Sequence, residues 1–89
     1  MKSRERVVYR VGAAGAVRDQ LRGAPPQLQG YVAGIVAVLR VDPTAASAAF
    51  DAQCADDACV AVFAGGRGFL TYWILENQQV VVLLDLTWL

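Results

Sequence analysis

Arg67 is the one basic residue after position 40, and it stands among glycines in Gly65-Gly66-Arg67-Gly68. Glycines on either side of a guanidinium let a phosphate approach the backbone closely, so the run is a candidate anion site. The other reading is a solvated turn arginine, because turns between strands are ordinarily polar. Four more guanidiniums fall into two pairs. Arg6 and Arg10 share one face of an extended segment, while Arg18 and Arg22 lie four apart along a helical edge. Together they are candidates for binding RNA phosphates or an acidic partner, or they form a plain solvated face. Tyr72, Trp73 and Trp88 offer rings on which bases stack, or equally the core residues and anchors of a protein interface. Cys54 and Cys59 have Asp51, Asp56 and Asp57 beside or between them, but two thiols with four residues between them in a chain without histidine match no strong zinc spacing. No metal site is expected, and the default for the two cysteines is a pair of reduced thiols.

The elements that position these groups must come from a short chain. Its 89 residues suffice for one domain, expected to span 1–89, because a second core could not be filled. With 56% apolar and 18% charged residues the chain collapses instead of staying disordered. The mean hydropathy is +0.39. The longest nearly unbroken apolar stretch, 31–39, is far shorter than the ~20 residues of a bilayer-spanning helix, and the first residues lead into a strand-like segment instead of a signal-peptide core. A soluble, cytoplasmic protein is expected. Eight basic and eight acidic residues cancel, which excludes a general nucleic-acid-coating role argued from net charge. Their distribution is uneven. Residues 1–40 carry a net +5 and residues 41–89 a net −5, so the molecule is expected to be electrically polar.

Residues 6–11 alternate as a strand does, with Val7, Tyr9 and Val11 on one face. Residues 13–22 favour a short amphipathic helix, with Gly23 suited to its end and Pro25-Pro26 to the first turn of the next. In that second helix, 26–40, Leu28, Val32, Ile35 and Leu39 recur at core-facing spacing. Its other side is small and uncharged: Gly30, Ala33, Gly34 and Ala37. Homodimerisation, docking of a partner or packing on the protein's own sheet would each explain that edge. Asp42-Pro43 stops the helix, and residues 44–50 have helix-forming composition without a clear facing. Residues 58–63, 69–75 and 80–88 are rich in β-branched and aromatic residues and read as a three-stranded antiparallel meander. The middle stretches are apolar at almost every position, so they are expected to be covered on both faces or to lie at a partner's surface. The predicted class is α+β: an antiparallel sheet of about four strands, with the first strand returning to it and a helical hairpin packed on one face.

This order resembles the RelE/ParE superfamily of toxins from bacterial type II toxin-antitoxin systems, along essentially the whole chain. An early strand leads to a helical hairpin whose second helix opens at Ala24-Pro25-Pro26 and closes at Leu39-Arg40-Val41-Asp42-Pro43. Gly68 with Phe69-Leu70-Thr71-Tyr72-Trp73 looks like the family's glycine and following strand, and Val80-Val81-Val82-Leu83-Leu84 like its next one. The basic set of ribosome-dependent members is not matched. Leu70 occupies the position of the strand's arginine, a later basic position falls near Asp85, the final residues are Thr87-Trp88-Leu89, and histidine is absent.

The resemblance implies a toxin that inhibits growth when free and is neutralised by a cognate antitoxin. For an mRNA endoribonuclease acting on the ribosome, Arg67 would stabilise phosphate charge, Tyr72 would orient or stack the substrate, and Arg6, Arg10, Arg18 and Arg22 would position RNA. The ParE branch, directed at DNA gyrase, needs no nuclease residues, and a third reading is an inactive interaction module of the same fold. Gly30, Gly34, Trp73 and Trp88 are the candidate partner-binding residues, for an antitoxin or a second copy of the chain. No pattern calls for a small-molecule cofactor, and none is expected.

Overall fold

The structure, a computed structural model, describes residues 8–89. Its elements run β1 (Arg10–Ala13), α1 (Gly15–Arg22), α2 (Pro26–Val41), α3 (Pro43–Ala49), β2 (Gln53–Ala55), β3 (Ala58–Phe63), β4 (Gly68–Leu75) and β5 (Val80–Trp88), with one 3-10 turn at Ala64–Gly66. The class is α+β, as the residue pattern implied. Five strands form one sheet in the order β1-β5-β4-β3-β2. That sheet is mixed where an antiparallel one was expected: β1 does return to it, but it pairs parallel to β5, with Val11 opposite Val81. The fifth strand explains the reversal of expectation. β2 starts a four-stranded meander, one strand longer than the sequence suggested, and its last strand runs alongside β1 in the same direction.

The helical layer follows the sequence closely. Leu28, Val32, Ile35 and Leu39 of α2 are all buried, as their spacing requires. Pro26 occupies the first turn, where its missing N–H costs nothing. Asp42 ends α2 and opens α3, because its carboxylate accepts from the backbone N–H groups of Thr44 (3.1 Å) and Ala45 (3.2 Å). Ala46 on α3 is fully buried. Helix α1 begins at Gly15 because Ala13 still belongs to β1, and Val17 is its buried contact.

One face of the sheet meets the helices. Cys59, Ala61 and Phe63 of β3, Leu70 and Tyr72 of β4, and Val81, Leu83 and Leu86 of β5 join the helix residues in one core. Leu83 and Leu86 are three apart, so strict alternation cannot put both inward. A bulge solves this: Thr71 faces Asp85 while Tyr72 faces Leu83, leaving Leu84 as the extra residue and Asp85 exposed. The opposite face carries Val60, Val62, Phe69, Trp73, Leu75, Val80 and Val82, none of which belongs to that core. Coverage of both faces was one expectation; among the described residues only one face is covered, and Trp73 on the other is 45% exposed.

Where the two edge strands stop short, the strands next to them find other partners. Beyond Leu83 strand β5 loses β1 as a neighbour, and α1 takes over: Ala14 donates its N–H to Leu83 O (2.8 Å) and Gln20 Nε2 donates to Leu86 O (2.8 Å). On the other side Val62 N donates to Phe50 O (3.2 Å) where β2 has ended. Cys54 and Cys59 are not reduced thiols but a disulfide. They lie directly opposite each other in the β2–β3 hairpin, with Cα atoms 4.0 Å apart.

Candidate functional site

The glycine-rich run forms a tight link from β3 to β4. Ala64, Gly65 and Gly66 have φ of 55°, 67° and 94°, a left-handed course that the two glycines take without cost and the alanine does not. Gly68 is required for a different reason: a Cβ there would collide with the ring of Phe63. Phe63 and Trp88 flank Gly68 across the sheet, and with no side chain between them their rings approach at 6.1 Å and 17°. Tyr31 of α2, 39% exposed, closes the cluster at 5.5 Å from Phe63 and 6.3 Å from Trp88.

Arg67 completes it. Its guanidinium carbon lies 4.6 Å from the Trp88 ring centroid. The backbone of Leu89 clasps the residue twice: Leu89 N donates to Arg67 O (2.8 Å), and the Arg67 guanidinium donates one N–H to Leu89 O (3.3 Å). The side chain is nevertheless exposed, and among the described residues the rest of its five-donor fork has no other protein partner. What results is a fixed, solvent-facing cation backed by an aromatic stack, chemistry suited to an anionic group attached to a flat ring.

Most of the other candidates do not join this cluster. Arg10 pairs with Val80 at the opposite end of β5, roughly 30 Å from Arg67 at the usual rise of a strand. Arg18 and Arg22 are exposed on α1, which advances along β5 toward Trp88, and Arg22 pairs with Asp19 at 3.3 Å. Arg6 lies outside the described residues. Tyr72 stands differently from its expected role, since it is fully buried and offers no ring face to a substrate. Its hydroxyl is 3.0 Å from Ser47 Oγ, which itself donates to Pro43 O (3.0 Å), so the phenol is the donor of that pair.

The four partner candidates occupy three places. Gly30 and Gly34 are exposed, and a Cβ on either would meet nothing within 4 Å, so packing against the protein's own sheet does not explain the small-residue edge. Trp73 is on the open sheet face, and Trp88 is half-buried beneath Arg67. The disulfide removes both thiols as metal ligands, and among the described residues no three acidic or cysteine side chains gather as a metal site.

A cavity of about 230 Å³ lies between α3 and the β2–β3 turn, bordered by Ser47, the disulfide, Asp56, Asp57 and Glu76. Its carboxylates repel anions, so it does not extend the Arg67 site. Tyr31 is the member of the cluster that the residue pattern missed, because its position on the helix gives no sign of the strand residues it meets.

No protein-family model and no curated protein matches the chain. Solved structures do. An archaeal RelE from a RelE–RelB complex of Pyrococcus horikoshii superposes with a TM-score of 0.72 at 19% identity, covering 91% of this chain and 94% of that one. The E. coli toxin RelE, as a double arginine mutant bound to a peptide of its antitoxin RelB, superposes with a TM-score of 0.70 at 14% identity, covering 92% and 84%. At such identities the likeness is one of backbone architecture. Strand, helical layer and meander follow the same path over nine-tenths of the molecule, and this chain therefore has the RelE fold.

Proposed function

We propose that this chain is the toxin of a toxin-antitoxin pair, a single-domain cytoplasmic protein that arrests growth when free and is silenced by an antitoxin. The observation that carries the reading is an apolar sheet face left uncovered among the described residues of a RelE fold, whose solved neighbours are a RelE in a RelE–RelB complex and a RelE bound to an antitoxin peptide. An extended or helical segment of the antitoxin fits such a face by strand addition or by an apolar helical stripe. The target is messenger RNA on the ribosome, met at the Arg67 end of the sheet. There the guanidinium would neutralise charge on a phosphate flanking the bond to be broken, with the neighbouring 2′-hydroxyl as nucleophile.

A second reading, inhibition of DNA gyrase or a purely binding role, is favoured by two specific observations. Tyr72 is buried, and Arg10 stands at the far end of β5 from Arg67, so the cluster has one cation and lacks the phenol that the resemblance assigned to it, its own exposed phenol being Tyr31. Induced expression separates these readings. The messenger reading expects cuts in translated transcripts, mapped by primer extension, with plasmid supercoiling unchanged. Loss of supercoiling without cuts supports gyrase, and neither effect in a protein that still binds its antitoxin supports the binding module.

A further inference from the structure

The geometry points to a one-nucleotide subsite for single-stranded RNA at the Arg67–Trp88–Tyr31 cluster: Arg67 holds the phosphate, Tyr31 stacks the adjacent base, and Trp88 is the positioning residue that fixes Arg67. The inference rests on the messenger-directed reading above and assigns it a place and a division of labour. Three features support it. The guanidinium is anchored at 4.6 Å from the indole centroid and by one N–H to Leu89 O, which leaves the remainder of its fork toward solvent. Gly65 and Gly66, where an added Cβ would meet nothing within 4 Å, place no side chain in the turn that precedes it. Tyr31 supplies an exposed ring against the same indole that holds the cation, 6.3 Å from it and tilted 43°, therefore not stacked flat against it.

The indole has a definite part in this arrangement. A free arginine in a turn samples many rotamers, and ordering it on a ligand costs conformational entropy. Trp88 removes much of that cost by holding the cation over its face, and Phe63 holds Trp88 from beneath through the gap at Gly68. Among the described residues nothing comparable surrounds Arg10, Arg18, Arg22 or Arg40, none of which has an aromatic partner. Phosphate recognition by preorganised charge therefore belongs at Arg67.

Anisotropy of 5′-labelled hexauridylate tests the assignment, with the intact chain titrated over a range of salt concentrations. Saturable binding is expected. Arg67→Ala should weaken it and lower the salt slope by about 0.7, the loss of one single-strand phosphate contact. Tyr31→Leu should weaken it about fivefold or more with the slope unchanged, since stacking releases no counterions. Trp88→Leu should lower the slope as Arg67→Ala does although the arginine remains, Trp88→Phe should restore it, and the double variant should be no worse than Arg67→Ala alone. In a Trp73→Phe background, emission from the remaining Trp88 should change on saturation.

Thermal melting of each variant separates lost binding from lost folding. A folded Trp88→Leu protein with the wild-type slope overturns the positioning role, and unchanged affinity in Arg67→Ala overturns the subsite. Binding in a protein that does not arrest growth supports the subsite and removes the toxin reading. No binding in a protein that does arrest growth overturns the subsite and leaves the toxin reading standing.

Discussion

Gly68 and Tyr72 show how far residue type alone announces a role. Gly68 stands at the start of a strand, and the sequence marks it only as part of a turn. Its necessity comes from the ring of Phe63 lying over it, a contact between neighbouring strands that one-dimensional spacing does not contain. Gly68→Ala must push that ring aside and part it from Trp88, at a cost of about 1–3 kcal/mol in urea denaturation. The same substitution should also loosen Arg67. Tyr72 is the converse case: in a strand apolar at almost every position its face was not legible, and the bulge at Leu84 that helps set the β4–β5 register was not either. Tyr72→Phe should cost about 1 kcal/mol for the lost bond to Ser47 and leave growth arrest unchanged, because no substrate reaches that ring. Loss of arrest in a folded Tyr72→Phe protein would restore the phenol to the site.

At the scale of elements, what repeats was legible and what is brief was not. Helix α2 shows in four core residues at regular spacing, and β3 to β5 in long β-branched runs. Strand β2 has three residues, Gln53–Ala55, all exposed, with no alternation to detect. The disulfide had a usable signal nevertheless. Asp56 and Asp57 form a two-residue turn with Asp56 at φ 57°, and Cys54 and Cys59 lie symmetrically two residues out on either side, so hairpin register alone sets them opposite. Expectation about the compartment outweighed that symmetry. Because the ring it closes is small, reduction should cost about 2 kcal/mol of stability. Hydrogen exchange should then show lost protection in β2 while β4 and β5, held by a full ladder and the core, keep theirs. Asp42→Ala should remove the cap of α3, lowering stability by about 1 kcal/mol in denaturant titration.

For the whole molecule the decisive feature is asymmetry. Helices cover one face of the sheet, while Trp73 and its apolar neighbours line the other. The sequence carried this as an excess of apolar residues in β4 and β5, but could not distinguish burial on both sides from a surface awaiting a partner. Direction of the first strand was likewise beyond it, since parallel pairing depends on how many reversals the chain makes before returning. Substituting Trp73→Lys on the open face should change stability by no more than about 0.5 kcal/mol, as surface changes do, and should weaken complex formation with an antitoxin. The basic residues follow the same asymmetry: Arg10 and Arg67 mark opposite ends of β5, and only the Arg67 end has a cation held in place by rings. Growth after induction is the most direct measure of the claim that this end carries the activity. Wild-type protein should arrest cells and Arg67→Ala, at equal folded abundance, should not; equal arrest by both would contradict the account.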